Sequence, residues 1–359
     1  MQIAVIGDDH LGFKQYGFTE REQDFRNSFK YCIDGIDKNI PIIKTGDLFN
    51  NVRPPAELVY FVKETLKNRR VYGVDGNHDI ANNDWLKLCN IQPLANIITK
   101  IIRLKVRPLY IAGLNWIRPA NFMTELDSFL TTIKEPVDIF VIHQLLDDFI
   151  PYAQNQISGK QIADRLSKFG VKIVVMGDLH QAVDMNINGI QFIYTGSTEV
   201  NSISEKYDKS FVMLDISDDE NPQITFKRIP IKTRPFIHKF IQTKEDIEQL
   251  ALLGVYEIAP FFILEYDNEN KELVKIAESV LTGKHLYRLI PIVKGSKSNL
   301  FTQLSMEGMK RNSAMEHLRN SIASFFDPNT DEYQLIIQLL ELPEEVPALV
   351  TAYAKNKGI

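Results

Sequence analysis

Through residue 216 the chain keeps returning to short, almost wholly apolar runs: QIAVIG at 2–7, PIIKTG at 41–46, VYGVDG at 71–76, LYIAGLNWI at 109–117, VDIFVIH at 137–143, VKIVVMG at 171–177, FIYTGS at 192–197 and SFVMLDI at 210–216. A strand with one face in water alternates apolar and polar residues, and these runs do not, so each needs cover on both faces. Helix-like segments at 20–38, 55–68, 121–134 and 159–168 lie between the runs and can supply that cover. The pattern predicts an α/β fold, with sheets covered by helices.

From Pro235 the pattern changes. FIHKFIQ reads as a strand, TKEDIEQLALL as a helix capped by Thr243, FFILEYD as a strand and KELVKIAESVL as an amphipathic helix, and HLYRLIPIV closes a small α+β unit. The polar, aperiodic stretch GSKSNLFTQLSMEGMKRNS reads as a linker. SAMEHLRNSIASFF, DEYQLIIQLLEL and PEEVPALVTAYAKN then read as short helices, which either bundle on the unit before them or dock a partner. A chain of 359 residues is long for one core. The expected division is 1–234, 235–297 and 298–359.

With 41 Lys and Arg against 46 Asp and Glu, the net charge of −5 argues against gripping nucleic acid by bulk electrostatics. Local basic stretches oppose that: Arg69 and Arg70; Lys100, Arg103, Lys105 and Arg107; and Lys227, Arg228, Lys232 and Arg234. Solvated surface looks the same. Cys32 and Cys89, the only cysteines, each fall in a helix-like stretch and offer neither a disulfide framework nor a thiolate metal site. There is no basic, apolar leader and no apolar run of membrane-spanning length, so a cytoplasmic protein is expected, with no membrane association.

Five of the apolar runs end in residues of the metal-ligand type. QIAVI is followed by Asp8, Asp9 and His10, PIIKTG by Asp47, VYGVDG by Asn77, His78 and Asp79, VDIFVI by His143, and VKIVVMG by Asp178 and His180. Of seven histidines, the four before residue 235 all stand at those ends. Asp and Asn after a strand commonly serve turns and caps, but turn chemistry does not call for imidazoles. In α/β sheets, ligands gather beyond the carboxyl ends of strands, so these residues are expected to converge. Asp, Asn and His without Cys suit manganese, iron or magnesium better than a structural zinc. There are enough of them for two ions sharing a bridging carboxylate, an arrangement suited to phosphate esters.

DxH at Asp8 and His10, GDLF at 46–49, GNHD at 76–79, His143 after its strand and GDLH at 177–180 resemble the five signatures of the calcineurin-like metallophosphoesterases. HLGFKQYGFTEREQDFRNSF, GDLFNNVRPP and YTGSTEVNSISEKYDKSF are similar, within that superfamily, to the nuclease subunit of SbcCD-type double-strand-break repair complexes and its phage relatives. This likeness spans roughly residues 1 to 240. It implies a two-sheet sandwich flanked by helices, a small DNA-capping domain at 235–297 and partner-binding helices after it. It further implies that Asp8, His10, Asp47 and His180 hold one divalent ion, with Asp47 bridging to a second held by Asn77, His143 and Asp178. His78 becomes a non-ligand acid for the departing sugar oxygen, and a hydroxide between the ions attacks phosphorus in line.

Most relatives carry His where this chain has Asp178; a carboxylate there is a competent ligand that adds negative charge. Asp9 is expected in a supporting place, and Asp79 as a helix cap. The resemblance also implies manganese, or magnesium, as the cofactor. It implies duplex DNA ends and single-stranded DNA as substrates, a separate SMC-like ATPase, and a bacterial cell or phage-infected host as the setting. Dimerisation is implied through helices near 55–68 and 82–90; Tyr60, Phe61, Leu66, Trp85, Leu86 and Leu88 fit that apolar surface and fit ordinary core packing equally well. The chain has no G-x-x-x-x-G-K-[ST], so any ATP dependence belongs to another polypeptide. Two alternatives stand beside this reading: a phosphatase or phosphodiesterase for a small substrate, and a catalytically silent scaffold.

Overall fold

Strand β1 (Gln2–Ile6) shows why these runs have no polar face. Ile3 and Val5 enter a layer between two sheets, Ala4 and Ile6 enter a layer beneath helices, and none of the four reaches solvent. The structure is a computed structural model that describes residues 1–292 except 81–84, 151–156, 204, 206–207, 220, 253–256 and 284. The linker and terminal helices expected at 298–359 lie outside the described residues.

In chain order the strands are β1, β2 (Ile42–Lys44), β3 (Val71–Gly73), β4 (Gln92–Pro93), β5 (Thr99–Arg103), β6 (Pro108–Leu114), β7 (Ile139–His143) and β8 (Ile173–Gly177). They continue with β9 (Val183–Ile187), β10 (Ile190–Tyr194), β11 (Lys209–Ile216), β12 (Ile224–Ile231), β13 (Phe236–Ile241), β14 (Phe261–Asp267) and β15 (Leu286–Ile292). The helices are α1 (Thr19–Asp34), α2 (Ala56–Thr65), α3 (Trp85–Leu88), α4 (Pro119–Thr132), α5 (Gly159–Leu166), α6 (Lys244–Leu252) and α7 (Lys271–Leu281).

Two six-stranded sheets form a sandwich, ordered β12-β11-β1-β2-β3-β4 and β5-β6-β7-β8-β10-β9. β1, β2 and β3 pair in parallel, as do β6, β7, β8 and β10, while β11 and β9 join their neighbours antiparallel. The inner layer joins Ile3, Val5 and Ile43 from one sheet to Ile139, Val141 and Val175 from the other. Outside it, Phe25 and Phe29 of α1 and Leu58 and Val62 of α2 cover the first sheet, and Phe122, Leu126 and Ile162 of α4 and α5 cover the second.

β4, β5, β9 and β12 are strands that the apolar-run signal did not reveal. β9 and β12 lie at sheet edges, where one side is wet; β12 alternates half-buried and exposed residues along most of its length and carries Pro230.

β13, β14 and β15 make a third sheet, with β13 and β14 parallel. One face packs under α6 and α7 through Ile241, Phe262, Leu264 and Leu273. Thr243 caps α6 as expected, its Oγ1 accepting from the Asp246 amide at 3.2 Å. The other face, with Phe236, Phe261 and Ile263, closes over Val200, Tyr16 and Phe18 of the sandwich. Polar contacts fix this junction. Arg21, fully buried, donates to Gln15 (2.8 Å), Asp24 (2.6 Å), Glu199 (3.1 Å) and the Val200 carbonyl (2.9 Å). Arg234 grips the same Asp24 with two bonds of 2.6 and 2.8 Å.

Candidate metal centre

The ends of the two sheets meet where Gly7, after β1, bridges Ser197, after β10. Four of the residues placed there hold a left-handed backbone: Asp8 (φ 52°), His10 (φ 44°), Asp47 (φ 49°) and Asp178 (φ 89°). Side chains with a Cβ rarely adopt that conformation, at about 1–3 kcal/mol each, and such strain concentrates at functional sites. Backbone bonds hold it: Asp8 N to Gly46 O (3.1 Å) and His10 N to Asp47 O (3.0 Å). The glycines do more than bend. A Cβ on Gly46, itself at φ +104°, would lie 2.3 Å from His143 Nδ1, and one on Gly177 would lie 2.6 Å from the same atom.

Around that point the side chains converge. His10 Nε2 lies 2.9 Å from His180 Nε2 and 3.6 Å from Asp47 Oδ2. His143 Nε2 lies 3.4 Å from Asp47 Oδ2 and 3.1 Å from the Asn77 amide. Asp8, His10 and His180 present ligand atoms all within 4.8 Å of one another, as do Asp8, Asp47 and His143, and also His10, Asp47 and His78. Asp178 joins no such group among the described residues. Its backbone N–H donates to Asp8 Oδ1 at 2.9 Å, and its carboxyl still lies in the field of His143 and Asp47.

Hydrogen bonds fix which ring nitrogens are free. His143 donates from Nδ1 to the Thr45 carbonyl (2.8 Å), which turns Nε2 toward Asp47. His78, half-buried, bonds through Nδ1 to the Asn50 carbonyl (2.8 Å), while its backbone N–H donates to Asp47 Oδ1 (3.0 Å). Asn50 thus enters through its backbone.

The electrostatics are those of a site short of positive charge. Burial pushes the Asp8 carboxyl up to about 7 and the His10 imidazole down to about 3. Burial also raises Asp178. Burial opposes charge on Asp47 and His143 too, but their mutual attraction wins, holding Asp47 well below the usual carboxylate range and lifting His143 to about 10. Asp8 Oδ2 and His10 Nδ1 are buried without any hydrogen-bond partner. Unpartnered acceptors, three carboxyls and three imidazoles with no thiolate fit a hard-to-borderline divalent cation.

Asp9 takes the supporting place expected of it, fully buried against the Lys44 ammonium and Thr198 Oγ1 (3.2 Å). Among the described residues Asp79 caps no helix. Its carboxylate accepts from the amides of Leu48 (3.1 Å), Phe49 (3.1 Å) and Gly76 (3.0 Å), stapling the loop after β2 to the loop after β3.

Sequence reasoning assigned nothing to Glu205 and Lys209, which stand behind His180. Both fall in the stretch YTGSTEVNSISEKYDKSF, one of those that carry the likeness to the nuclease subunits. The basic stretches prove largely committed. Arg107 pairs with Asp138, Arg228 with Asp184 and Arg234 with Asp24, while Arg69 and Arg70 bond backbone carbonyls from Ile33 to Asn39. Of the expected dimer surface, Leu66 and Leu86 belong to the core, whereas Tyr60 and Leu88 are 65% and 51% exposed.

The family model for calcineurin-like phosphoesterases matches residues 1–182. The chain is 26% identical over 271 residues to the DNA double-strand break repair protein Mre11 of Methanocaldococcus jannaschii, covering 69% of this chain and 72% of that one. It is 29% identical over 277 residues to the protein of that name from Methanococcus maripaludis, with coverage of 69% and 72%. Against the Methanosarcina mazei protein of that name it is 28% identical over 294 residues, 78% of this chain and 44% of that one.

Proposed function

The chain belongs to the calcineurin-like phosphoesterase family, and from that premise we propose that it is a manganese-dependent DNA exonuclease and endonuclease of double-strand-break repair or recombination. The observation that carries the proposal is the convergence of Asp8, His10, Asp47, His143 and His180 on one buried point at the sheet ends.

We assign Asp8, His10, Asp47 and His180 to one ion and Asn77, His143 and Asp178 to a second, with Asp47 shared. Two divalent ions in that cradle would activate a water and offset charge on a phosphodiester. The residues supply the rest. With Nδ1 committed to the Asn50 carbonyl, Nε2 is the His78 nitrogen left for proton transfer. In its imidazolium form it keeps that bond and can give the Nε2 proton to the departing 3′ oxygen, leaving the phosphate on the 5′ side of the product. The three amide bonds to Asp79 tie the loop carrying Asp47 to the loop carrying Asn77 and His78, which serves positioning catalysis.

DNA ends and single strands are the proposed substrates, and an SMC-like ATPase the proposed partner, since the relatives are named for double-strand-break repair. Exposed Tyr60 and Leu88, with exposed Val52 whose carbonyl accepts from Trp85 Nε1, support a homodimer through α2 and α3. No helix among the described residues is long and apolar enough to cross a membrane, and we place the protein in the cytoplasm. A second reading, hydrolysis of a small phosphodiester, is favoured by the ion pairs that already occupy much of the basic surface.

The test is degradation of end-labelled duplex DNA with manganese. Wild-type protein should digest it; Asp47→Ala should lose both manganese binding and digestion; His78→Ala should keep manganese while losing turnover by about 10²–10⁴-fold. Robust cleavage of a small phosphodiester by protein inactive on DNA, with and without the ATPase, would replace the nuclease reading with the second.

A further inference from the structure

We infer that Glu205 and Lys209 form a positioning pair that fixes the protonation and aim of His180. The inference rests on the metal-site reading above for its purpose, though not for its geometry.

His180 Nδ1 lies 2.9 Å from Glu205 Oε1. A carboxylate can only accept, so Nδ1 carries a proton, and in the neutral ring Nε2 is then the nitrogen with the lone pair, facing His10. An imidazole held in this tautomer by a carboxylate is the form that ligates a cation through Nε2.

Glu205 is not free to choose another partner. Its second oxygen, Oε2, accepts from Lys209 Nζ at 2.7 Å and from the Asn201 amide at 3.0 Å, so Oε1 is left for the ring. Lys209 is 5% exposed. It also donates to Ser197 Oγ (2.8 Å) and to the backbone carbonyl of His180 itself (3.3 Å). One ammonium therefore grips both the main chain of the histidine and the carboxylate that holds its ring.

The fold explains why these residues can do this. Lys209 opens β11, which runs antiparallel along β1 with Val5 opposite Val212, so its first residue reaches toward the end of β1 where Asp8 and His10 stand. Asn201 stands beside the pair, its backbone N–H donating to Glu205 Oε2 at 3.0 Å.

Burying an ion pair is costly, and a Lys–Glu pair beside a histidine has no evident packing role that apolar residues could not fill. Fixing one tautomer of one ring is a role they could not fill. The segment quoted as SEKYDKSF thereby acquires a chemical reason for its Glu and Lys at i and i+4.

The test has two arms. In protein labelled with ¹⁵N-histidine and stripped of metal, the His180 signal, assigned by its loss in His180→Gln, should show Nδ1 protonated and Nε2 bare. In Glu205→Ala it should move to the mixed or reversed tautomer, with Glu205→Gln in between. Manganese titration should then show one site weakened by about 10–100-fold in Glu205→Ala and less in Lys209→Met. Unfolding midpoints of the metal-free variants control for simple loss of structure. A His180 ring protonated on Nε2 in the wild type, or a Glu205→Ala protein with wild-type tautomer and wild-type manganese affinity, would overturn the inference. Absence of manganese binding by the wild type would refute the function proposed above, and the tautomer arm would still decide the role of the pair.

Discussion

Lys44 offers the sharpest test of how the centre is held. Its ammonium is 1% exposed, lies over the Phe29 ring at 5.4 Å and pairs with Asp9, which is fully buried. Lys44→Met would leave the Asp9 carboxylate with Thr198 Oγ1, at 3.2 Å, as its one remaining side-chain bond. Removing one partner of a buried ion pair costs about 3–5 kcal/mol, because the other charge is stranded in a low-dielectric interior. Adding Asp9→Asn removes that charge, so the double variant should recover most of the loss. The pH dependence has a fixed sign. Burial already raises the Asp9 carboxyl above 3.8 even with Lys44 present, and without Lys44 it must rise further. A carboxyl raised in the folded state binds more protons folded than unfolded, so its stabilising share is present at low pH and lost as pH climbs through the folded value. The Lys44→Met deficit should therefore be smaller at pH 5 than at pH 8. Urea unfolding of metal-free wild type, Lys44→Met and Asp9→Asn/Lys44→Met at both values measures this. A pH-independent loss within the about 0–1 kcal/mol of an exposed pair, or a double variant no more stable than the single one, would refute the reasoning.

Arg234→Ala should cost about 1.5–3 kcal/mol, since it removes two charge-assisted bonds to a buried Asp24, and should speed proteolysis near 232–236; an unchanged melting curve and digestion pattern would count against the junction described above. Manganese at 100 times its dissociation constant should stabilise the wild type by about 2.7 kcal/mol and leave Asp47→Ala unmoved, as thermal unfolding with and without a chelator would show. Cys32 and Cys89 are both buried, with the Cys89 thiol pushed up to about 12 and Cys32 raised as well, so neither should react with a thiol reagent until the protein is denatured; rapid labelling of the native protein would contradict their placement.

Much of the centre could be read from the sequence because its signals are local. An apolar run followed directly by Asp or His is a pattern of adjacent residues, and a sheet brings such ends together whatever the order of its strands. That is why Asp8, His10, Asp47, His143 and His180 are all found at one place. Asp178 was named by the same reasoning, yet its carboxyl stands outside the close groups, because at φ 89° the turn commits its backbone N–H to Asp8. The edge strands β9 and β12 were illegible for the opposite reason, being half in water and without an apolar run. Asp79 followed a strand like a cap residue, but its carboxylate binds amides of two different loops, a pairing no local pattern records.

The α/β class, the strand ends where Asp and His gather and the helix cap at Thr243 are legible from the residues alone. Each is a matter of spacing within about ten residues, where periodicity and turn chemistry operate. Burial in the folded chain sets which charges keep the centre in place, Lys44 on Asp9 and Lys209 on Glu205 and thence on His180, and which hold the third sheet to the sandwich, Arg21 with Arg234 on Asp24. A charge reads as solvated surface until burial removes its water. Which partner then replaces that water depends on segments that meet across nearly two hundred residues of chain, as Arg21 of α1 and Glu199 of the loop after β10 do.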